Sequence, residues 1–270
     1  MEVNQVYQGD SAELMKKLPD NFIDLTVTSP PYDNLRDYKG YSFDFETIAK
    51  ELYRVTKEGG VVVWVVGDAT INGSETGTSF KQALYFKDIG FNLHDTMIYV
   101  KENPIPLTHN RYEQQFEYMF VLSKGRPKNF NPIMIDCKNA GKEYNINRPQ
   151  VYDKGAKRHY RDEVIKTKTK KQSFNLWYYT VGTDKKTDTG HTAPFPEKLA
   201  RDHIVSWSNP GDIVFDPFAG SGTTLKMAML NDRNYLGFEI SAEYCDLINK
   251  RIGSNLSRFI QGATPSFNKD

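Results

Sequence analysis

The sequence predicts an α/β protein: a mostly parallel sheet with helices on both faces, interrupted by an irregular insert. Three observations predict it. Strand-length apolar runs alternate with segments of helical spacing toward both ends of the chain. Residues 61–66, Val-Val-Val-Trp-Val-Val, form the continuous apolar run expected of a strand buried on both faces. From Ser123 to about Thr189 the periodicity fails and charge rises. Residues 1–122 and 190–270 are therefore expected to form two parts of one domain, with 123–189 inserted between them.

Taken in order, residues 3–8 make a short strand. Gly9-Asp10-Ser11 follows, with Asp10 or Ser11 placed to cap a helix through Leu14 and Leu18. Residues 22–28 are the next strand, with Ile23, Leu25 and Val27 alternating. Ser29-Pro30-Pro31-Tyr32 stops it, because two prolines cannot continue a ladder. A helix over 43–56 carries Ile48, Leu52 and Val55, and Glu58-Gly59-Gly60 turns into the strand at 61–66. After a polar loop come a helix over 79–87 and strands over 92–100 and 115–122. Inside the insert, Leu176-Trp177-Tyr178-Tyr179 reads as one short strand. Pro196 suits the first turn of a helix ending near Trp207. Ile213-Val214-Phe215 is a buried strand, 225–230 a helix, 235–239 a strand and 242–252 a last helix, with a polar tail from about Gly253.

A chain of 270 residues can bury one large core, or a core with an inserted subdomain. It has no apolar run long enough to span a membrane, and its first residues carry neither the basic start nor the apolar stretch of a signal peptide. Its two cysteines, Cys137 and Cys245, are far apart and lack metal-ligand spacing, so a reduced, cytoplasmic setting is expected. The net charge of +1 hides an asymmetry: residues 124–171 carry fourteen Lys or Arg against five Asp or Glu, a net +9. Such a segment is either a solvated lysine-rich loop or a surface for a polyanion.

The stretch Asp216-Pro217-Phe218-Ala219-Gly220-Ser221-Gly222-Thr223-Thr224 joins a strand to a helix. A glycine turn there lets backbone approach a ligand closely and presents the free N–H groups of the helix start. The following strand ends on Glu239, the spacing of a nucleoside site in which a carboxylate holds ribose hydroxyls. The third glycine of a dinucleotide fingerprint is missing, since Leu225 stands there, and no Lys-Ser or Lys-Thr follows as a phosphate loop needs. The expected ligand is thus a nucleoside without phosphates. Asp216 at the mouth favours a cationic group. S-adenosylmethionine, with a ribose, an ammonium and a sulfonium, fits.

The second motif, Thr28-Ser29-Pro30-Pro31-Tyr32, sits at the carboxyl end of a strand, where open α/β sheets place ligands. By itself it reads equally well as a rigid turn with a packed tyrosine. Together the two motifs resemble the amino-methyltransferases of DNA, which methylate the exocyclic nitrogen of adenine or cytosine. The resemblance covers most of the chain. The catalytic motif comes first and the cofactor loop late, an order similar to the β group of that family. It implies a Rossmann-like methyltransferase sheet with the target-recognition region as the insert, S-adenosylmethionine as methyl donor and double-stranded DNA as partner. A separate cognate restriction endonuclease and a monomer or homodimer go with it. By the resemblance, Ser29, Pro30, Pro31 and Tyr32 are catalytic. Asp216, Phe218, Gly220, Gly222, Thr223 and Glu239 hold the cofactor, and Asp10 contacts its adenine. His191, Thr192 and Pro194 line its methionine end. Lys168, Lys170, Lys171, Arg158 and Arg161 of the basic insert are expected on DNA.

The chemistry asks for these residue types. An exocyclic amine is a poor nucleophile because its lone pair is delocalised into the ring. Two acceptors on its N–H groups, the Ser29 hydroxyl and the Pro30 carbonyl, draw the nitrogen toward tetrahedral geometry. No metal is required. The base must leave the duplex, at a cost of roughly a few kcal/mol, and Tyr32 offers a stacking face. In the family a serine at the first motif position is commoner in N4-cytosine enzymes and aspartate in adenine enzymes, so cytosine is expected and adenine is the alternative. Carbon-5 methylation is disfavoured, since neither cysteine follows a proline. A catalytically inactive DNA-binding protein of the same fold is the competing reading from another class.

Overall fold

The computed structural model describes residues 1–31, 43–104, 111–150, 159–180 and 196–260, with backbone alone at 148–150, 159–160 and 254–260. The chain forms two compact units, Met1–Asn131 with Asn175–Asp270, and Pro132–Phe174.

The first unit opens with strand β1 (Gln5–Gln8), helix α1 (Ser11–Met15), β2 (Ile23–Thr28), α2 (Phe45–Val55) and β3 (Thr56–Val66). A two-residue hairpin, β4 (Thr70–Ile71) and β5 (Ser74–Glu75), leads to α3 (Thr78–Asp88), β6 (Asn92–Lys101) and β7 (Phe116–Ser123). The second unit holds β8 (Met134–Asp136), β9 (Glu143–Gln150), β10 (His159–Lys166) and β11 (Lys170–Gln172). The chain then returns with β12 (Leu176–Tyr179), α4 (Glu197–Trp207), β13 (Ile213–Asp216), α5 (Thr223–Leu230), β14 (Asn234–Glu239) and α6 (Ala242–Ile260).

The first unit is built on an eight-stranded sheet in the order β1-β14-β13-β2-β3-β7-β6-β12. Every neighbouring pair is parallel except those of β7, which runs antiparallel to β3 and β6. The apolar run in β3 shows why the sheet is covered twice. Val62, Trp64 and Val66 join the core under α1, α2 and α3, with Leu52, Phe86 and Phe215. Val61, Val63 and Val65 join the opposite core, with Leu199, Ile204 and Met227 from α4 and α5. Even the one polar group in the middle is matched: the indole N–H of buried Trp64 donates to Gln82 Oε1 at 2.8 Å.

From β2 the chain moves to β3 on one side, and from β13 to β14 on the other. The carboxyl ends of β2 and β13, which pair directly, therefore flank the switch point where open sheets bind ligands.

The second unit is narrower than the insert expected at 123–189. Leu176–Tyr179, expected inside the insert, pairs with β6 as the edge strand of the main sheet. Within 132–174 the chain is mostly strand, paired as β8 with β11 and β9 with β10. Most of the described residues here are exposed and none is fully buried, so burial imposes only weak apolar alternation and the strands leave little periodic signal. At the other end, the polar tail expected from Gly253 is helical to Ile260. One glycine weakens a helix by about 1 kcal/mol and does not stop it.

Candidate active site

β1, β14, β13 and β2 end at the same edge of the sheet, and each delivers one part of the site. β13 ends on Asp216, whose side chain is 2% exposed. Its Oδ1 accepts from the Thr28 hydroxyl at 2.7 Å and from the Phe218 N–H at 3.0 Å. The carboxylate expected at an open mouth is thus buried, and it braces the glycine loop against the last residue of β2. Burial pushes its carboxyl up to about 6, against hydrogen bonds from Thr28, Phe218 and Thr224 that lower it. A second bond makes the same connection: the Thr224 hydroxyl donates to the Val27 carbonyl at 3.0 Å.

After Asp216 the loop turns sharply. Gly220 has φ 51° and Gly222 φ 79°, left-handed conformations that favour glycine. A Cβ at Gly222 would also stand 2.8 Å from Ile248 Cγ1 of α6. Gly222 caps α5, so Thr223 and Thr224 form its first turn, both buried. Phe218 is anchored edge-on against Phe43 at 5.5 Å and Trp64 at 6.4 Å.

Glu239 ends β14 and is nearly buried. Its Oε2 accepts from the Gly220 N–H at 2.8 Å and its Oε1 from the Ser241 N–H at 2.9 Å. Burial raises the carboxyl above its ordinary value, and the N–H groups of Ser241, Gly220 and Ile240 oppose that. β1 pairs Gln8 with Glu239, and the Gly9 N–H donates to the Glu239 carbonyl at 2.9 Å. This sets Asp10 beside the acid. Asp10 is the N-cap of α1, accepting from the Glu13 N–H at 3.1 Å, while the Ser11 hydroxyl donates to the Pro217 carbonyl of the loop.

At the end of β2, Ser29 is half-buried, Pro30 buried and Pro31 half-buried. Tyr32, His191, Thr192, Pro194 and Arg158 lie outside the described residues. Arg161, Lys168, Lys170 and Lys171 are exposed in the second unit, and Lys171 Nζ sits 4.2 Å over the Phe174 ring.

Three contributions are absent from the sequence reading. Thr28 ties the two motifs together, and only its place at a strand end beside a proline pair hinted at it. Glu197, the first residue of α4, accepts from Lys226 Nζ at 2.6 Å and Arg251 Nη2 at 3.0 Å, while Arg251 also donates to the Ser221 carbonyl. That network clamps the glycine loop from behind and has no local signal. Gly237 on β14 supplies the close helix–strand approach that a third loop glycine provides elsewhere, since a Cβ there would overlap Leu225 Cδ1. The glycine has moved to the strand and the leucine to the helix.

The arrangement suits a nucleoside donor. A carboxylate with one bond on each oxygen keeps acceptor capacity for ribose hydroxyls, and the loop beside it has no Cβ at 220 or 222. The model of the N6/N4 DNA methylase family matches residues 23–250, from β2 to α6. The chain belongs to the DNA methylase family. This methylase is similar to the orphan methyltransferase M.BamHII of Bacillus amyloliquefaciens, 57% identical over 88% of the chain and 92% of the relative. The type II methyltransferase M.BglII of Bacillus subtilis is 27% identical over 91% of the chain and 68% of its own length. Among solved structures, the cytosine-N4-specific PvuII DNA methyltransferase superposes with a TM-score of 0.68 at 20% identity, over 95% of this chain and 92% of that one. The M1.HpyAVI–SAM complex gives 0.62 at 23%, over 92% and 98%. These neighbours carry the same α/β architecture. The methyl donor of the family is S-adenosylmethionine. Among the described residues, no helix is long and apolar enough to cross a membrane.

Proposed function

We propose that this methylase transfers a methyl group from S-adenosylmethionine to the exocyclic N4 of a cytosine flipped out of duplex DNA. The observation that carries it is the 2.7 Å bond from Thr28 to Asp216, which fixes Ser29 and Pro30 beside the cofactor loop at the switch point. When bound, the donor supplies an electrophilic methyl group on its sulfonium. Gly220, Gly222, Thr223 and Phe218 form the loop that holds it, Glu239 takes its ribose hydroxyls, and Asp10 lies toward its adenine. His191, Thr192 and Pro194 serve the methionine end.

The Ser29 hydroxyl and the Pro30 carbonyl accept from the two N–H groups of the target amine. That holds the nitrogen out of the ring plane and aims its lone pair. Pro31 stiffens the turn that presents both acceptors, and Tyr32 stacks on the flipped base. Serine in place of an acid at position 29 supports cytosine, and the PvuII enzyme of the same fold is cytosine-N4-specific.

Arg161, Lys168, Lys170, Lys171 and Arg158 hold the DNA backbone, so double-stranded DNA is the partner. The basic second unit supports this. Incubation of mixed-sequence DNA with labelled donor, followed by nucleoside mass analysis, tests the whole reading. N4-methylcytosine is expected. N6-methyladenine overturns the choice of base, and no transfer overturns the activity.

A further inference from the structure

The second unit is one two-stranded arm. β8 pairs with β11 at Ile135 and Lys171, and β9 pairs with β10 from Glu143–Lys166 to Gln150–His159. Between them the chain is closed by the Thr167 N–H on the Lys142 carbonyl at 2.9 Å and the Cys137 N–H on the Thr169 carbonyl at 2.9 Å. Eight residues at about 3.3 Å each make β9 about 26 Å long. A two-stranded ribbon of that kind fits the major groove of B-DNA, which is about 12 Å wide.

The register divides the ribbon into two faces, because side chains alternate along a strand. On one face Ile146 and Ile165 are half-buried, beside exposed Tyr144, Arg161 and Glu163. On the other, Asn147 stands opposite Asp162 and Asn145 opposite Val164, and all four are exposed, Val164 at 63%. Asn and Asp are poor strand formers, and three of them share one face of a ribbon that has little core to hold it. Thr on a solvated face would meet water as well and favour the strand more. Nor does the choice suit a surface that only tracks phosphates, where an acid such as Asp162 would be repelled. All four side chains have the groups that read base edges: Asn bonds adenine N6 and N7 in a bidentate pair, Asp accepts from cytosine N4, and an apolar side chain such as Val164 meets the thymine methyl.

We propose that Asn145, Asn147, Asp162 and Val164 form the base-reading face of this methylase, and that they enter the major groove of a recognition site containing at least one A·T pair. The inference rests on the DNA methyltransferase reading above and adds to it which side chains of the insert select sequence. The occupant is duplex DNA because the surrounding segment, 124–171, carries a net +9. Exposed lysines such as Lys168, Lys170 and Lys171 supply affinity without sequence, whereas the Asn-Asp-Val face supplies discrimination.

The test maps methylated sites across a random DNA library for the full chain and for Asn145→Thr, Asn147→Thr and Val164→Ala. Threonine is the better strand former, so these two variants strengthen the ribbon and loss of its fold cannot mimic the result. Each Asn variant should relax the preference at one position of the site by about tenfold or more, the loss of a bidentate base contact. The rest of the site should be kept. The identity of the accepted base is a readout that a merely structural residue does not move. If wild type methylates a defined site and both Thr variants keep the same ranking at every position, the ribbon inference is overturned alone. If wild type methylates no DNA, the reading beneath it falls, and this inference with it.

Discussion

The Thr28 hydroxyl donates a 2.7 Å hydrogen bond to the buried carboxylate of Asp216, joining the last residue of β2 to the last residue of β13. The proposed catalytic turn starts one residue after the first, and the proposed cofactor loop one residue after the second. Replacing Thr28 by valine keeps the shape and removes the donor. At pH 8 this should destabilise the protein by about 1–3 kcal/mol, the cost of a buried group left without its partner. Urea denaturation reads it, and a cost that does not shrink at pH 5, where the carboxyl is protonated, would count against the bond.

Asp216 itself makes stability depend on pH. Its carboxyl is pushed up to about 6 by burial, from an ordinary 3.8. The folded chain therefore keeps a proton that the unfolded chain has released. The stabilising contribution is complete below pH 3.8 and is lost as pH rises through about 6. Asp216→Asn removes this dependence. Relative to the variant, wild type should lose on the order of 3 kcal/mol between about pH 4 and 7. Parallel stability curves for the two proteins would show that Asp216 titrates normally.

Glu239 holds the loop through the Gly220 N–H and is proposed to hold ribose. Glu239→Ala should weaken donor binding by about 10- to 100-fold, as expected for loss of hydrogen bonds to a charged group. Calorimetry on the folded variant measures it, and unchanged affinity refutes the ribose role.

Ser29→Ala should slow methyl transfer by on the order of 100-fold while leaving donor affinity nearly intact, because its bond strengthens as the amine pyramidalises. Tyr32→Ala should lose base stacking of about 1–3 kcal/mol. Single-turnover assays on a cognate duplex separate these steps. Wild-type transfer rates in both variants would remove the assignment of the pocket.

Neutralising Lys168, Lys170 and Lys171 together should lower the slope of log affinity against log salt by about 2.7, if each meets one phosphate. An unchanged slope in a salt titration identifies them as solvated.

Gly237→Ala should cost about 1–3 kcal/mol through overlap with Leu225, and the double variant with Leu225→Ala should recover part of the strain. Thermal melts of the three proteins decide it, and a harmless Gly237→Ala would mean that the helix can shift.

The sequence alone carried the fold class, the two motifs and their order, because each is written locally. Buried strands such as 61–66 must be apolar on both faces. A turn at φ 79° favours glycine, as at Gly222. Two prolines must end a ladder, as at Pro30 and Pro31. What it left unwritten depends on direction and distance. The antiparallel course of β7 was invisible, because burial pattern does not encode which way a strand runs. The arm at 132–174 looked irregular, because none of its described residues is fully buried and a ribbon without a core needs little apolar alternation. The Glu197–Lys226–Arg251 clamp and the Thr28–Asp216 bond join residues far apart in the chain, and no local pattern marks such partners. Only the tertiary structure decided that a threonine one residue before the proposed catalytic serine grips the acid that opens the glycine loop. Parallel pairing of β2 with β13 brings those two strand ends together, and burial gives each polar side chain the other as its partner.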